Sequence, residues 1–263
     1  EPSQKARERG VAIMVLKAVF LDLDDTLVAT SVHDMRAFAA TTALAAKRSA
    51  GVDQGTLLAD FKAAFTRVPW DPEYKVEVTS WRGGLWARAL EKQGVAAAAS
   101  LGDELQATFD ANRMGDFPFM PEVAGMLTHL AARGLAAVII TNGHHTVQRD
   151  KLEACGAASL FPEPEMIIVG GEEVMAGRAE KPAVSIFAKA CAAAGCAPGE
   201  AIHVGDSLAT DVQGGINSEL RATVWVNPAG KVRKAGDPEP TYVVRTMEEL
   251  PGIVDQLMAA DAA

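Results

Sequence analysis

The chain has 263 residues, 49% of them apolar, with a formal net charge of −9 and a pI near 5.1. This length suits one large α/β domain, or a core domain with a smaller second one. The acidic balance argues against nucleic acid as a partner, because a face that follows nucleic-acid phosphates is normally basic. No apolar run reaches the roughly 18 residues of a membrane span.

The N-terminal stretch EPSQKARERGVAI is basic and begins with Glu, and we treat residues 1–16 as an extension outside the fold. It could be native, the remnant of a leader or transit segment, or an expression remnant, and Met14 could be a natural start. We expect a cytoplasmic protein, with organellar targeting left open by this N-terminus, and a monomer or homodimer. Three cysteines fit no disulfide or zinc pattern and read as small packing residues (Cys155, Cys191 and Cys196).

The first predicted strand, KAVFLDLD (17–24), is a continuous apolar run that ends in carboxylates. An all-helical interval follows it. The helical patterns lie near 33–50, 55–67, 80–93 and 99–113. The two prolines of GDFPFMPEV (115–123) then predict a linker back to the core. These patterns predict a helical insertion over 31–115, placed between the first strand and the rest of the core (17–30 and 116–263).

The remainder of the chain alternates between apolar runs and helical patterns. The predicted strands are 135–143, 165–170, 201–207, 222–227 and 241–244, and the predicted helices are 121–133, 146–156, 182–195, 208–218 and 246–260. Continuously apolar strands that alternate with helices predict a doubly wound, Rossmann-like parallel sheet with helices on both faces.

Polar residues follow several of these strands and begin one of the helices. The groups are Asp22-Leu23-Asp24-Asp25-Thr26, Thr141-Asn142-Gly143, Lys181-Pro182 at a predicted helix start, and Gly205-Asp206-Ser207 with Asp211. Ligands of parallel sheets bind outside the carboxyl ends of the strands. We therefore expect these groups to converge on one site.

The residue types of this set suit phosphoryl chemistry. Asp22 and Asp206 could hold a hard cation such as Mg²⁺, and Asp22 could attack phosphorus as a nucleophile. Asp24 could protonate the leaving oxygen and then activate water. Lys181 and the Thr141 hydroxyl would neutralise charge on the phosphoryl oxygens.

Other members of the set have structural interpretations. Asp25 suits a helix cap or turn, and Thr26 suits a hydrogen-bonding role within the Asp-rich loop. Asp211 could orient other groups rather than touch the metal. Asn142 could simply form a turn, and Gly143 would allow close backbone approach.

The four motifs DLDDT (22–26), TNG (141–143), EKP (180–182) and GDSLATD (205–211) resemble the haloacid dehalogenase (HAD) superfamily of phosphatases. The resemblance runs from Lys17 to about Leu250. It implies a doubly wound core with an all-α cap of the C1 type, inserted after the first motif. Dehalogenases of the superfamily lack the second acid of the first motif, so Asp24 implies a phosphatase.

Residue by residue, the resemblance makes Asp22 the nucleophile and Asp24 the general acid and base. It implies Mg²⁺ as cofactor, held by the Asp22 carboxylate, the Asp24 carbonyl and Asp206. The phosphate would be held by the Leu23 and Asp24 amides, Thr141, Asn142 and Lys181. Within the family, the second half of the chain is similar to phosphatases of a small sugar-acid phosphate.

Substrate recognition is the least determined part of the prediction. Arg36 could bind a substrate carboxylate or lie on a solvated helix face, and His144 and His145 could touch a sugar hydroxyl or face water. Nucleoside monophosphates and other sugar phosphates stay open as substrates. Two alternatives remain. The chain could be a binding protein without turnover, which the intact motifs argue against, or it could transfer the phosphoryl group to the hydroxyl of a second substrate.

Overall fold

The computed structural model describes residues 15–262, which form two compact units. The first, here the sheet unit, comprises residues 15–27, Met120–Asn142 and residues 158–262. The second, the helical unit, comprises Val28–Phe119 and Gly143–Ala157. Residues 143–157, which the sequence-based division placed in the core, thus cluster with the helical unit. The expectations for residues 1–14 lie outside the described residues.

The sheet unit is built on six parallel strands. They are β1 (Ala18–Leu21), β2 (Ala136–Thr141), β3 (Ile167–Val169), β4 (Ala201–Gly205), β5 (Ala222–Val226) and β6 (Tyr242–Val244). Their order is β3-β2-β1-β4-β5-β6. The chain therefore builds outward from β1 first on one side and then on the other, which makes the end of β1 the topological switch point.

The strand register explains why the polar segments meet. Leu21, the last residue of β1, is level with Ile139 of β2 and Val204 of β4. Every residue of β1 and β4 is buried, which accounts for their unbroken apolar sequences. The predicted doubly wound parallel sheet is confirmed.

Helices of the sheet unit follow the strands in chain order. They are α5 (Val123–Ala132), α7 (Gly170–Met175), α8 (Val184–Ala194), α9 (Gln213–Asn217) and α10 (Leu250–Ala262). Phe187 and Ile186 of α8 pack with Phe20, Val138 and Ile140 in one buried cluster. Such burial stabilises the fold by about 1.5–3 kcal/mol for each large apolar side chain.

Several element boundaries differ from the sequence prediction. β1 ends at Leu21, so the acidic residues lie in the turn beyond the strand. The predicted helix 208–218 is a π-helical turn over Leu208–Val212 followed by α9. The short helix α7 was not predicted. Lys181-Pro182 precedes α8 instead of starting it, because the Asn142 side chain bonds both main-chain groups of Lys181.

The helical unit contains α1 (Thr30–Arg48), α2 (Gln54–Arg67), α3 (Val78–Glu91), α4 (Ala98–Met114) and α6 (His145–Ala154). Its core centres on Trp86, which is fully buried and stacks on Phe61 at a centroid distance of 3.7 Å. Asp53 caps α2 by accepting a hydrogen bond from the Thr56 amide. None of the helices within residues 15–262 combines the length and apolar character of a membrane span.

Candidate active site

Asp22 is the first residue beyond β1 and is buried at the switch point of the sheet. Its amide donates to the Val204 carbonyl, 2.9 Å away, so its main chain is fixed by the neighbouring strand β4. Burial, opposed by Lys181 and reinforced by Asp211 and Asp24, raises the pKa of Asp22 from 3.8 to about 8. The carboxylate therefore needs nearby positive charge to stay ionised at neutral pH.

Lys181 supplies part of that positive charge. Its Nζ donates to Asp22 Oδ1 at 2.6 Å, Asp211 Oδ1 at 2.7 Å and the Ile140 carbonyl at 2.7 Å. These three acceptors match the three protons of an ammonium group. Burial favours the neutral amine, but the Asp211 and Asp22 carboxylates outweigh it and raise the pKa of Lys181 above its usual value.

Asn142 holds the main chain of Lys181 in place. Its Nδ2 donates to the Lys181 carbonyl at 2.8 Å, and its Oδ1 accepts from the Lys181 amide at 3.0 Å. Two bonds from one side-chain amide fix the loop that precedes α8. The neighbouring Thr141 is fully buried at the end of β2, and Gly143 has a φ of +119°, a conformation that favours glycine.

Asp211 lies in the π-helical turn and contacts three elements. Its Oδ1 bonds Lys181 Nζ and, at 2.9 Å, His203 Nε2, while its Oδ2 accepts from the Ser207 amide at 2.9 Å. Burial alone would raise its pKa, but Lys181 and His203 outweigh burial and lower it. A Cβ at position 205 would overlap this carboxylate, so Gly205 leaves the space that Asp211 occupies.

Asp22, Asp206 and Asp211 form a potential metal site. One carboxylate oxygen from each lies within 4.8 Å of the other two. Burial, together with Asp211 and Asp25, raises the pKa of Asp206 to about 6. Crowded oxygen ligands that repel one another fit a hard divalent cation such as Mg²⁺. Asp211, expected only to orient other groups, lies within this cluster.

The remaining residues of the first motif form a tight turn. The Leu27 amide donates to the Leu23 carbonyl at 2.9 Å, and Asp25 has a φ of +56°, so Asp25 lies in the turn and not at a helix cap. Thr26 is fully buried, yet its hydroxyl has no hydrogen-bond partner among the described residues. The turn is therefore held by main-chain bonds and not by the Thr26 side chain. Asp24 is half-buried, and its negative charge contributes to the raised pKa of Asp22.

Two residues proposed for substrate recognition belong to the helical unit. Arg36 is exposed on α1. His144 precedes α6 and is only 6% exposed. Its ring stacks on Tyr74 at a centroid distance of 5.4 Å and on His145 at 4.5 Å.

His203 was not predicted as a site residue, and Ser207 was predicted only as part of the polar group Gly205-Asp206-Ser207, without a role of its own. His203 lies within β4, is 1% exposed, and bonds Asp211 through Nε2. A histidine in the otherwise apolar strand AIHVG was the available signal, because a buried imidazole needs a polar partner. The role of Ser207 depends on its main-chain amide and is therefore not visible in the side-chain pattern.

Comparisons with known proteins extend this picture. A profile of the haloacid dehalogenase-like hydrolase family matches residues 16–218. The chain is 34% identical to human N-acylneuraminate-9-phosphatase over 92% of its own length and 95% of the relative. It is 31% identical to phosphoserine phosphatase of Thermus thermophilus over 81% of this chain and 89% of the relative.

Solved structures show the same fold. The crystal structure of a 2-haloacid dehalogenase from Pseudomonas syringae superposes with a TM-score of 0.64 at 26% identity, covering 92% of this chain and 99% of that one. A HAD-family hydrolase from Bacillus subtilis superposes with a TM-score of 0.65 at 21% identity, with coverage of 92% and 99%.

Proposed function

The chain belongs to the haloacid dehalogenase-like hydrolase family and is a phosphoric monoester hydrolase, and from this premise we propose that it hydrolyses N-acylneuraminate 9-phosphate with the help of Mg²⁺. The observation that carries the proposal is the similarity to N-acylneuraminate-9-phosphatase, which extends over 92% of the chain and so includes at least most of the helical unit. The buried cluster of Asp22, Lys181 and Asp211 supports the catalytic part of it.

The phosphate group would be held at the carboxyl ends of β1 and β2. The Thr141 hydroxyl, the Asn142 amide and the Leu23 and Asp24 main-chain amides would hold the phosphoryl oxygens. The Lys181 ammonium would join them by exchanging one of its three present acceptors for a phosphoryl oxygen. Lys181 already bonds Asp22, so it lies beside the atom that would attack. Positioned charge of this kind stabilises the transition state of phosphoryl transfer.

The first half of the reaction would transfer the phosphoryl group to Asp22. A carboxylate oxygen of Asp22 attacks phosphorus, and the bond from phosphorus to the ester oxygen breaks. The Asp24 carboxyl group gives its proton to the departing alkoxide. The products of this half are the free sugar acid and an aspartyl-phosphate on Asp22.

The second half would restore the enzyme. The Asp24 carboxylate removes a proton from water, and the resulting hydroxide attacks phosphorus. The bond between phosphorus and the Asp22 oxygen breaks, which releases inorganic phosphate. Asp22 is then a free carboxylate and Asp24 again carries its proton.

The residues that would hold Mg²⁺ are the Asp22 carboxylate, the Asp24 main-chain carbonyl and Asp206, with Asp211 beside them. When bound, the ion lowers the repulsion between these carboxylates and the substrate phosphate. Arg36 is proposed to contact the substrate carboxylate, since its guanidinium is exposed and can bind a carboxylate through two hydrogen bonds.

The test is phosphate release from a panel of monoesters with Mg²⁺. It includes N-acetylneuraminate 9-phosphate, hexose and pentose phosphates, phosphoserine, glyceraldehyde 3-phosphate and nucleoside monophosphates. We expect kcat/KM for N-acetylneuraminate 9-phosphate to exceed the others by at least about tenfold, or about 1.4 kcal/mol. Equal kcat/KM values across the panel, or a preference for a nucleotide, would refute the substrate assignment. If no monoester of the panel released phosphate, the assignment of phosphatase activity would be refuted.

A further inference from the structure

Four ring side chains of the helical unit form a contiguous cluster. Trp70 and Tyr74 lie between α2 and α3, and His144 and His145 lie at the start of α6. Trp70 meets His144 edge-on at a centroid distance of 5.7 Å, and Tyr74 lies 5.4 Å from His144 and 6.0 Å from His145. Trp70 and Tyr74 remain partly exposed.

The segment that carries Trp70 and Tyr74 is held firmly by its own hydrogen bonds. Both carboxylate oxygens of Asp71 accept main-chain amides, from Glu73 at 3.1 Å and from Lys75 and Val76 at 2.9 Å. Trp81 Nε1 and Arg82 Nε bond the Val68 and Pro69 carbonyls at 3.1 and 3.2 Å. The two rings are therefore presented in a fixed arrangement.

Two features of the cluster carry a structural cost. Tyr74 has a φ of +53°, a region that bulky residues rarely adopt. The Nδ1 atoms of His144 and His145 are buried without a hydrogen-bond partner among the described residues. An unsatisfied buried polar atom costs about 1–3 kcal/mol. Strain and unmet hydrogen bonds of this kind concentrate at ligand sites.

His144 lies close in sequence to Asn142, one of the proposed phosphate-binding residues. His144 follows Asn142 by two positions, so covalent geometry keeps the Cα atoms of these two residues within about 7 Å of each other. Burial, with the charges of His145 and Arg82, lowers the pKa of His144 to about 4, so its imidazole is neutral at pH 7.

We propose that Trp70, Tyr74, His144 and His145 form the subsite for the hydroxylated, non-phosphate part of the substrate. The inference rests on the proposed function and adds the residues that recognise the sugar. Partly exposed aromatic faces bind the apolar faces of sugar rings, and ring nitrogens of imidazoles exchange hydrogen bonds with hydroxyl groups. A carboxylate would instead need a charged partner at this place.

The test compares Tyr74→Leu with Tyr242→Leu, which changes the only other tyrosine of the chain. Tyr242 is also partly exposed and lies on β6 of the sheet unit. Saturation-transfer NMR with free N-acetylneuraminate measures sugar binding without turnover. We expect signal transfer to the sugar with wild type and Tyr242→Leu, and loss of it with Tyr74→Leu. No transfer with wild type, or an unchanged signal with Tyr74→Leu, would overturn the subsite.

Kinetics provide the second readout. For Tyr74→Leu we expect kcat/KM for N-acetylneuraminate 9-phosphate to fall at least tenfold, mainly through KM, while kcat/KM for acetyl phosphate changes less than twofold. Equal losses on both substrates would assign Tyr74 a structural role only. If Tyr74→Leu has a clearly lower Tm than wild type, Trp70→Leu is the second variant and is tested in the same way. Wild type that binds the sugar but hydrolyses no sugar phosphate would contradict the proposed function and leave the subsite intact.

Discussion

At the scale of single residues, the candidate site depends on how buried charges are paired. Lys181 contacts Asp22 and Asp211 together, and the three side chains are all less than 10% exposed. A buried ion pair contributes little net stability, but removing one partner leaves an uncompensated charge. The arrangement is therefore better explained by a role in the chemistry of the site than by a contribution to the stability of the fold.

Glu173 is another buried carboxylate and lies in the short helix α7 of the sheet unit. It bonds Arg178 at 2.5 and 3.0 Å and Lys189 at 2.5 Å. The Arg178 hydrogen bonds, with Lys189, lower the pKa of Glu173 from 4.5 to about 2. Because the folded-state pKa is lowered, its stabilising effect is complete above about pH 4.5 and is lost as the pH falls toward 2.

Replacing Glu173 by Gln should lower the free energy of unfolding by about 1–3 kcal/mol at pH 7, the usual value of charged hydrogen bonds at a buried site. Urea unfolding at pH 7, 5 and 3 measures this, and the difference from wild type should shrink at pH 3. Glu239→Gln is the matched control, because its bond to Arg233 is exposed and should matter by less than about 1 kcal/mol. Equal losses for the two variants would contradict the assignment.

At the scale of elements, α3 and α4 approach each other through glycines. A Cβ at Gly102 would overlap the Gly83 carbonyl oxygen and lie 2.8 Å from the Ala87 amide nitrogen. Both neighbours are main-chain atoms, so a side chain there must push the helices apart. By contrast, a Cβ at Gly84 would meet only the end of the Arg88 side chain, at 3.6 Å.

Gly102→Ala should therefore destabilise the protein by about 1–3 kcal/mol, the usual cost of overpacking. Gly84→Ala, in the same helix pair, should stabilise it by about 0.5–1 kcal/mol, because alanine favours the helix. Chemical denaturation of both variants tests the pair. If Gly102→Ala left the free energy of unfolding unchanged, or if Gly84→Ala lowered it by the same amount, the packing of α3 against α4 at Gly102 would not be as close as described.

The sequence predicted elements well where apolar periodicity is strong and less well where side chains override it. All six strands lie within their predicted runs, and for β1 to β5, which are mostly buried, the reason is that buried parallel strands are continuously apolar. The start of α8 differs because Asn142 bonds the main chain of Lys181, a tertiary contact with no local signature. The π-helical turn at Asp211 likewise depends on where its carboxylate finds partners.

At the scale of the whole molecule, the converging motifs were predictable because parallel topology brings the carboxyl ends of strands together. The contribution of His203 was not predicted, because a single histidine in an apolar strand indicates that a polar partner is needed but not which residue that partner is. The grouping of residues 143–157 with the helical unit was also not predicted, since the sequence gives no measure of which long-range contacts prevail. The structure brings several of the predicted site residues together, but the roles assigned to all of them, from Asp22 and Asp24 to Arg36 and His144, stay predictions.

A bound ion should stabilise the entire fold, because it binds the native state and not the unfolded chain. At Mg²⁺ concentrations about 100 times Kd, linkage gives about 2.7 kcal/mol, or a rise in Tm of roughly 5–10 °C for a chain of this size. Calorimetry with and without Mg²⁺ measures the shift. Asp206→Asn should remove it, and Asp116→Asn, at an exposed position, should retain it. A full shift in Asp206→Asn would contradict the metal site.

The measurement that tests the central claim most directly is phosphate release by Asp22→Asn beside wild type, at saturating N-acetylneuraminate 9-phosphate and Mg²⁺. Asparagine keeps the shape of the side chain but is a far weaker nucleophile. We expect turnover below about 1% of wild type, a loss of more than roughly 2.7 kcal/mol in transition-state stabilisation, with folding confirmed by circular dichroism. A folded variant that retains more than a few per cent of wild-type turnover would contradict the assignment of Asp22 as the nucleophile.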